Sequence, residues 1–384
     1  MKLLLLTDGI YPFVIGGMQK HSYYLAKHLA LAGHEVTLVH CMNGQRVLPT
    51  RQEVLEAMEM ADTANLEILT FRFPKPGWYP GHYLKESYLY SRTIYDQLRS
   101  RLQQFDFIYA KGFCAWYFLQ KKQSGEKMPP IGVKFHGYEM FQPPANLKSR
   151  FQNWLLKGPV QWNNVHADHV FSYGGKISAI IRKIGVTEGK IIEIPTGIES
   201  SWFRNTPAAP TKKMLQFVFV GRFERRKGVE ELTAALTLLL PTADFQFHFV
   251  GPIPATRRIR SEKIIYHGSI SSAEEIKKVL DTCQVLVVPS HSEGMPNVIM
   301  EGMARGLAIV ATDVGAVSSV VDERNGWLIE AGSSAAIVDV VNRILQPTPD
   351  EIGEKRRASL MKIREFSWES IAGITSREIV RVLA

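Results

Sequence analysis

The sequence predicts an α/β protein made of two doubly wound parallel-sheet domains. Short apolar runs alternate with segments of helical period along the whole chain, a pattern typical of βαβ units and hence of parallel sheets. The alternation restarts after residue 213, and 384 residues are too many for one ordinary core. We therefore expect domains at residues 1–200 and 214–365, a linker at Pro195–Lys213, and a final helix within 366–384.

The first domain is expected to contain six strands and three clear helices. The strands lie at Leu3–Thr7, Glu35–Val39, Leu66–Phe71, Phe107–Ala110, Ile131–Phe135 and His169–Ser172. Apolar residues at helical spacing predict helices at Met18–Ala32, Lys85–Leu102 and Gly175–Lys183. The opening Met1–Leu6 has too short an apolar run for a signal peptide and no small-residue cleavage site, so we expect it to form the first buried strand.

The second domain repeats the pattern. Its strands are expected at Gln216–Val220, Phe245–Val250, Val285–Val288 and Leu307–Ala311, and its helices at Val229–Leu239, Ala273–Asp281, Asn297–Arg305 and Ser334–Ile344. A last helix is expected at Trp368–Leu383. Ligands of doubly wound sheets bind beyond the carboxyl ends of the strands, so the loops that follow strands are where the chemistry should lie.

Composition and charge exclude several classes of protein. No run approaches the ~20 apolar residues of a membrane span, and Cys41, Cys114 and Cys283 are too far apart in sequence for a zinc motif. A reducing, cytoplasmic location without disulfides is expected.

Residues 1–200 hold 23 basic and 16 acidic residues, which gives this half a net charge of +7 out of the total of +9. This surplus indicates either ordinary solubility or an anionic partner, such as a phosphorylated acceptor or the acidic inner face of a membrane. Nucleic acid is not expected, because no basic run is interleaved with aromatic residues.

Two loops of the first half are candidates for ligand binding. Gly16 and Gly17 open the first helix, where a backbone can approach a ligand closely and free N–H groups attract anions; a plain strand-to-helix turn is an equal alternative. His136 follows an apolar strand and could reach a ligand, although on its own it would more simply be a hydrogen-bonded loop histidine. The other histidines lack matching carboxylate or cysteine ligands, so no metal site is expected.

The loop from Gly221 to Gly228 has a composition suited to phosphate. Arg222, Arg225, Arg226 and Lys227 crowd a strand-to-helix turn between two glycines. One guanidinium group can bind two phosphate oxygens at once, and an ammonium group adds a point charge. A solvated basic turn is the alternative; the setting between a strand and a helix favours phosphate.

The most specific segment is Ser290–Gly306, which contains two glutamates eight residues apart. Glu293 lies in the loop after an apolar strand, and Glu301 lies about one turn into the next helix, so both carboxylates can face one ligand. Carboxylates accept pairs of sugar or ribose hydroxyls, while the backbone N–H groups of Met295 to Val298 are available for phosphate or sugar oxygens. The simpler alternative, a first-turn glutamate favoured by the helix dipole, does not account for Glu293.

These motifs together resemble the retaining nucleotide-sugar glycosyltransferases of glycosyltransferase family four, which are related to glycogen synthase. The resemblance covers essentially the whole chain. It is carried by Glu293-x7-Glu301 and by Gly221-Arg222 with Lys227-Gly228. It also includes His136, Gly16-Gly17, Ala167-Asp168-His169-Val170, Pro195-Thr196-Gly197 and Phe366-Ser367-Trp368. Met295-Pro296-Asn297 is a frequent variant in the family, and Gly302 replaces the usual alanine at a helical cost of roughly 1 kcal/mol.

The resemblance implies the GT-B architecture, two Rossmann-like domains facing an interdomain cleft, with the nucleotide-sugar donor held by the second domain. It implies that Glu301 binds ribose, that Glu293 binds the donor sugar, and that Arg222 and Lys227 hold the diphosphate. Gly294, Met295, Pro296, Asn297 and Val298 complete the donor site, and His136 lies beside the transferred sugar. A UDP- or GDP-sugar and a glycan or lipid-linked acceptor are the expected substrates.

The resemblance also implies transfer with retained configuration, which usually gives an α-linkage. Glu139 and Asp8 are the only candidates for a nucleophile near the first-half loops, so same-face attack assisted by the leaving diphosphate is favoured. No two aspartates are separated by a single residue, so neither a metal nor another cofactor is expected. The alternatives are a sugar-nucleotide epimerase or a phosphorylase on the same fold, or a non-catalytic glycan-binding module.

Overall fold

The computed structural model describes residues 1–42, 47–61, 65–75, 77, 79, 81–142, 147–210, 212–346 and 350–384, with only the backbone for residues 147–149. The chain divides into two compact units. The first comprises Met1–Phe141, Phe151–Gly197 and Trp368–Ala384, and the second comprises Gln142–Arg150 and Ile198–Ser367. Apart from Gln142–Arg150, the chain passes to the second unit at Ile198 and returns to the first at Trp368.

The first unit is built on a seven-stranded parallel sheet in the order β3-β2-β1-β4-β5-β6-β7. The strands are β1 (Lys2–Leu6), β2 (Glu35–Met42), β3 (Leu66–Arg72), β4 (Phe107–Lys111), β5 (Ile131–Lys134), β6 (His169–Ser172) and β7 (Ile191–Glu193). β1 and β4 are adjacent although they are far apart in sequence, so the strand order reverses between them. This reversal is the switch point at which such sheets bind ligands.

The helices of the first unit are α1 (Gly17–Leu31), α2 (Arg51–Ala57), α3 (His82–Leu98), α4 (Trp116–Gln123), α5 (Leu147–His166), α6 (Gly175–Lys183) and, from the far end of the chain, α12 (Trp368–Leu383). The first four residues of α5 belong to the second unit. α12 packs on α1, and Ser376 lies 2.7 Å from His34 Nε2. Gly197 is required here, because a Cβ at this position would lie 2.5 Å from the Trp368 ring. Gly197 of the Pro195-Thr196-Gly197 motif and Trp368 of the Phe366-Ser367-Trp368 motif thus meet within the first unit.

The second unit is built on a six-stranded parallel sheet in the order β10-β9-β8-β11-β12-β13. The strands are β8 (Leu215–Val220), β9 (Phe245–Val250), β10 (Ile264–Gly268), β11 (Val285–Val288), β12 (Ala308–Thr312) and β13 (Gly326–Ile329). The helices are α7 (Val229–Leu239), α8 (Ala273–Thr282), α9 (Asn297–Ala304), α10 (Ser334–Leu345) and α11 (Glu351–Ile363). Its core buries the phenylalanines of β8 and β9 beneath α7 and α10. The switch point lies between β8 and β11.

The two parallel sheets confirm the predicted fold class, and the differences lie in short or interrupted elements. The sequence patterns do not predict β7, β10 and β13, which have three to five residues each. They also do not predict α2, α4, α11 and α5; α5 contains Pro159, a residue that ordinarily ends a helix. The helix predicted at Lys85–Leu102 runs from His82 to Leu98 and is followed by a 3₁₀ turn. Within the predicted linker, Trp202 is buried in the second unit.

Candidate functional site

The loop from Gly221 to Gly228 follows β8 at the switch point of the second sheet. Gly228 has φ 67° and caps the N-terminus of α7. A Cβ at Gly228 would lie 1.8 Å from the carbonyl oxygen of Pro289, so only glycine allows this loop to pack against the segment that follows β11. The predicted basic loop and the predicted Glu293 loop are therefore neighbours.

The four cations of this loop have different partners. Arg222 is 71% exposed and lies 3.0 Å from Glu224. Arg225 forms a paired contact with Glu231 at 2.6 and 2.8 Å. This hydrogen bond and the attraction of the two charges raise the pKa of Arg225. Arg225 is therefore committed to the fold, whereas Arg222 presents its guanidinium to solvent.

Glu293 is the centre of a buried polar network. Lys227 Nζ donates to Glu293 Oε1 at 2.6 Å, and Ser290 Oγ donates to the same oxygen at 2.8 Å. Arg226 lies 3.8 Å from the other oxygen, Oε2. A buried carboxylate is stable only when it is paired in this way. The structure thus brings together Glu293 and Lys227, and it pairs the lysine directly with the carboxylate.

The residues predicted for ribose and phosphate lie on α9 and on the segment that leads into it. α9 begins at Asn297 and is preceded by Pro296, and Glu301 is its fifth residue. Gly302 fits the close approach of α9 to β11, since a Cβ there would lie 2.6 Å from the Leu286 side chain. Met295 is buried, and Gly294 accepts a backbone hydrogen bond from Ala316. The first turn of α9 therefore stands on a packed base at the carboxyl end of β11.

In the first unit, Gly16 and Gly17 stand at the start of α1, after the loop that follows β1. Gly16 has an extended backbone with φ 173°, which any residue can adopt. Asp8 in the same loop accepts a hydrogen bond from Gln19 at 2.9 Å. Burial raises the pKa of Asp8 to about 6, and the Gln19 hydrogen bond only partly opposes this. The loop is thus at the switch point of the first sheet and carries a carboxyl group whose pKa is raised by burial.

His136 lies just beyond β5 in a buried aromatic cluster. Its Nδ1 is 2.6 Å from the Tyr173 hydroxyl, and its ring contacts the ring of His21 edge-on at 4.9 Å. Nε2 is buried and has no hydrogen-bond partner among the described residues. Burial, with the nearby Lys111 and Lys134, holds the pKa of His136 well below its usual value. His136 is therefore neutral at physiological pH and oriented by Tyr173.

Two buried lysines surround this histidine cluster. Lys111 ends β4 and Lys134 ends β5, and the two are register partners across the sheet. Lys111 Nζ lies 2.8 Å from His21 Nδ1, and Lys134 Nζ donates to the carbonyl of Ile194 at 2.8 Å. Burial lowers the pKa of both amines, and the charge of Lys134 adds to the shift at Lys111. The partners of the two amines in this core are an imidazole nitrogen and a backbone carbonyl.

Sequence patterns alone do not identify Lys111, Lys134, His21 and Tyr173 as neighbours of His136. The one signal present in the sequence is a lysine at the end of each of two apolar strands. Ser290 as a partner of Glu293 is likewise not predicted. Among the described residues, no group of three histidine, cysteine or carboxylate side chains could hold a metal ion.

Two family models match the chain. The model described as Glycosyltransferase Family 4 matches residues 15–202, and the one described as Glycosyl transferases group 1 matches residues 215–347. Among curated relatives, the D-inositol 3-phosphate glycosyltransferase of Arthrobacter sp. strain FB24 is 29% identical over 203 residues, which cover 47% of this chain and 48% of that protein. The chain thus spans about half the length of several curated relatives that it matches.

Solved structures share the fold over nearly the whole chain. Sucrose-phosphate synthase from Thermosynechococcus elongatus has a TM-score of 0.77 at 19% identity and covers 99% of this chain and 98% of its own. Anabaena HepE in complex with UDP-glucose has a TM-score of 0.66 at 16% identity and covers 100% and 99%. At these identities the likeness confirms the GT-B fold alone. No helix in the described part of the chain is long and apolar enough to cross a membrane.

Proposed function

Since the chain belongs to the glycosyltransferases of family four, we propose that it transfers a sugar from a nucleotide-diphosphate donor to a hydroxyl acceptor with retention of configuration, forming an α-linkage. The observation that carries this proposal is the pairing of Lys227 with Glu293 at the switch point of the second sheet. A buried carboxylate beside a basic loop suits a ligand that has hydroxyls at one end and phosphates at the other. The HepE structure is a complex with UDP-glucose, which supports a nucleotide sugar as donor.

The roles proposed for the donor site follow from position. Glu293 accepts hydrogen bonds from the hydroxyls of the sugar, and Glu301 accepts them from the ribose. Arg222 and Lys227 neutralise the diphosphate, and the N–H groups at the start of α9 complete the cradle. Lys227 is held by Glu293 in the structure, so an incoming phosphate would share the lysine with this carboxylate. His136, which is neutral, orients the transferred sugar.

We propose same-face attack in which the departing diphosphate accepts the proton of the acceptor hydroxyl. The bond from the anomeric carbon to the diphosphate oxygen breaks as the bond to the acceptor oxygen forms on the same face. Negative charge on the leaving group is greatest at the transition state, where Arg222 and Lys227 stabilise it. No metal is required in this scheme, because fixed cations take its place.

The acceptor is proposed to be a glycan or a lipid-linked or phosphorylated sugar. The relative from Arthrobacter is named for an anionic acceptor, inositol 3-phosphate. The net charge of +7 in residues 1–200 suits such an acceptor, and it equally suits a peripheral contact at the inner face of an acidic membrane.

The first test is donor binding, measured by thermal shift with nucleoside diphosphates and their sugar conjugates. We expect Glu301→Ala to weaken donor affinity and Glu293→Ala to lower turnover, with the exposed Glu275→Ala on α8 as the matched control. Wild-type kinetics in both site variants would contradict the assigned roles.

Donor hydrolysis and transfer assays separate this enzyme from an epimerase, which needs no acceptor, and from a phosphorylase, which needs phosphate.

The second test addresses the metal. We expect activity to persist in excess chelator, while Arg222→Ala and Lys227→Ala lower turnover more than they raise KM. The exposed Lys278→Ala on α8 is the control for a lost positive charge. Activity that chelation abolishes and magnesium restores, with both cation variants active, would refute the role given to fixed cations.

A further inference from the structure

An exposed aromatic pair marks the outer face of α5. The Phe151 and Trp154 side chains are 54% and 68% exposed, and their rings stack at a centroid distance of 6.1 Å and an interplanar angle of 27°. Large aromatic side chains are seldom left in water side by side without a partner surface. The pair is one turn apart on the helix, so both rings lie on the same face.

The opposite face of α5 attaches the helix to the protein. Asn153 donates to the carbonyl of Glu139 at 3.0 Å, Val160 is buried, and Asn164 accepts from the Tyr138 hydroxyl at 2.8 Å. These residues lie roughly half a turn away from Phe151 by helical geometry. The aromatic face therefore points outward because the helix is held on its other side, and it is not left exposed by a loosely attached helix.

The outer face continues along the helix. Gly158, two turns after Phe151, faces open space, since a Cβ there would meet no atom within 4 Å. Leu155 is half-buried on the same side. The face thus has the two rings at one end and a glycine open to solvent toward the other.

α5 contains basic but no acidic residues. No aspartate or glutamate occurs between Glu139 and Asp168, and α5 itself contains three lysines and arginines. Arg150 and Lys157 are both exposed and stand beside the aromatic pair in the helix. Aromatic rings flanked by cations, on a helix without acidic residues, complement a surface that is apolar below and anionic above.

We propose that Phe151 and Trp154 insert into the interfacial layer of an anionic lipid bilayer while Arg150 and Lys157 contact its phosphate headgroups. This deepens the proposed peripheral membrane contact by naming its surface, and it rests on that part of the proposed function. Each basic side chain near an anionic membrane is worth about fivefold in partitioning. Two ring insertions add about tenfold or more. The combination gives reversible attachment through a surface helix.

The experiment is flotation of the full chain with vesicles of mixed phosphatidylglycerol and phosphatidylcholine, at low salt and at about 0.5 M salt, where charge is screened within a few ångströms. We expect association at low salt that falls with salt and is weak on pure phosphatidylcholine. Phe151→Ser/Trp154→Ser and Arg150→Glu/Lys157→Glu should each reduce the bound fraction at least about tenfold. Wild-type protein that does not float at low salt would overturn the proposal.

The matched controls change the same kinds of exposed side chain on other helices. Leu238→Ser/Val380→Ser deletes two exposed apolar residues of α7 and α12, and Lys278→Glu reverses an exposed charge on α8. Both should float like the wild type, and equal loss in the control and α5 variants would overturn the proposal. Brominated lipid should quench the tryptophan fluorescence of the wild type more than that of Trp154→Phe. We expect this variant to float like the wild type.

Two further measurements distinguish a membrane-binding face from a dimer interface and from a misfolded variant. If the aromatic face instead joins two copies, light scattering will find a dimer that Phe151→Ser/Trp154→Ser converts to monomer, which overturns the proposal. Donor-induced thermal shift should be unchanged in the α5 variants, which shows that they are folded. A wild-type protein without any donor response would contradict the proposed transferase activity while leaving the flotation result intact.

Discussion

Replacing Lys227 with methionine tests the buried pair at the centre of the candidate donor site. The change keeps the length of the side chain and removes its charge, which leaves the Glu293 carboxylate with Ser290 at 2.8 Å and Arg226 at 3.8 Å. Glu293 cannot move into water without breaking these contacts, because its side chain is only 7% exposed.

The magnitude follows from this geometry. Removing one partner of a buried ion pair costs about 3–5 kcal/mol. The remaining hydroxyl and the more distant guanidinium place this site at the lower end, near ~3 kcal/mol. For a domain of this size, each kcal/mol lowers Tm by about 2–4 °C. We therefore expect the transition of the second unit to shift by roughly 6–12 °C in Lys227→Met.

The assay is calorimetry of Lys227→Met, Glu293→Gln and the double variant, with Lys278→Met as the exposed control. Because the amide of Glu293→Gln carries no charge, the double variant should recover about 2 kcal/mol relative to the sum of the single changes. Additive losses, or a Lys227→Met variant within about 0.5 kcal/mol of the wild type, would show that the pair does not form in solution.

Three further predictions concern the first unit. Gly197→Ala should destabilise by about 1–3 kcal/mol in thermal unfolding, because its Cβ would lie 2.5 Å from the rigid Trp368 ring. Tyr173→Phe should lower kcat about tenfold with little change in KM, because His136 loses the hydrogen bond that orients it. Asp8→Asn should stabilise the protein by up to about 3 kcal/mol at pH 7.5 in urea unfolding, since the folded-state pKa of about 6 lies above the usual 3.8.

Each of these has its own check. Gly158→Ala is the control for Gly197→Ala, because its Cβ meets open space; equal effects of the two would refute the steric argument. A Tyr173→Phe variant that loses affinity and turnover together would contradict a purely orienting role. The raised pKa of Asp8 favours the folded state at low pH and costs stability as pH rises from about 4 to 6. The gain from Asp8→Asn must therefore vanish near pH 4, and a gain that is constant with pH would contradict the burial of a charge.

Much of the candidate site could be predicted because all strands of a parallel sheet end at the same edge. The alternation of strands and helices predicted parallel sheets, and parallel sheets bring the loops after their strands to one edge. On this basis alone, Lys227 and Glu293 could be expected at the same edge, and the structure brings them to 2.6 Å.

The remaining contacts depend on which strands become neighbours and in which register. Lys111 and Lys134 are 23 positions apart in sequence, and only the pairing of β4 with β5 makes them register partners. Likewise, Arg225 is bound by Glu231 rather than left for phosphate, a choice set by side-chain packing within the loop. Short strands such as β7 have too few residues to show the alternating pattern of a strand. Pro159 argues against a helix in the sequence, so α5 is not predicted.

The return of α12 to the first unit has a consequence for how the polypeptide is made. On the ribosome, residues 198–367 emerge before Trp368, so the second unit can complete its sheet while the first still lacks a helix. The surface of α1 on which α12 packs, and His34 just beyond α1, stay uncovered until α12 is synthesised. The first unit therefore completes its fold only after α12 has emerged, although its sheet is synthesised much earlier.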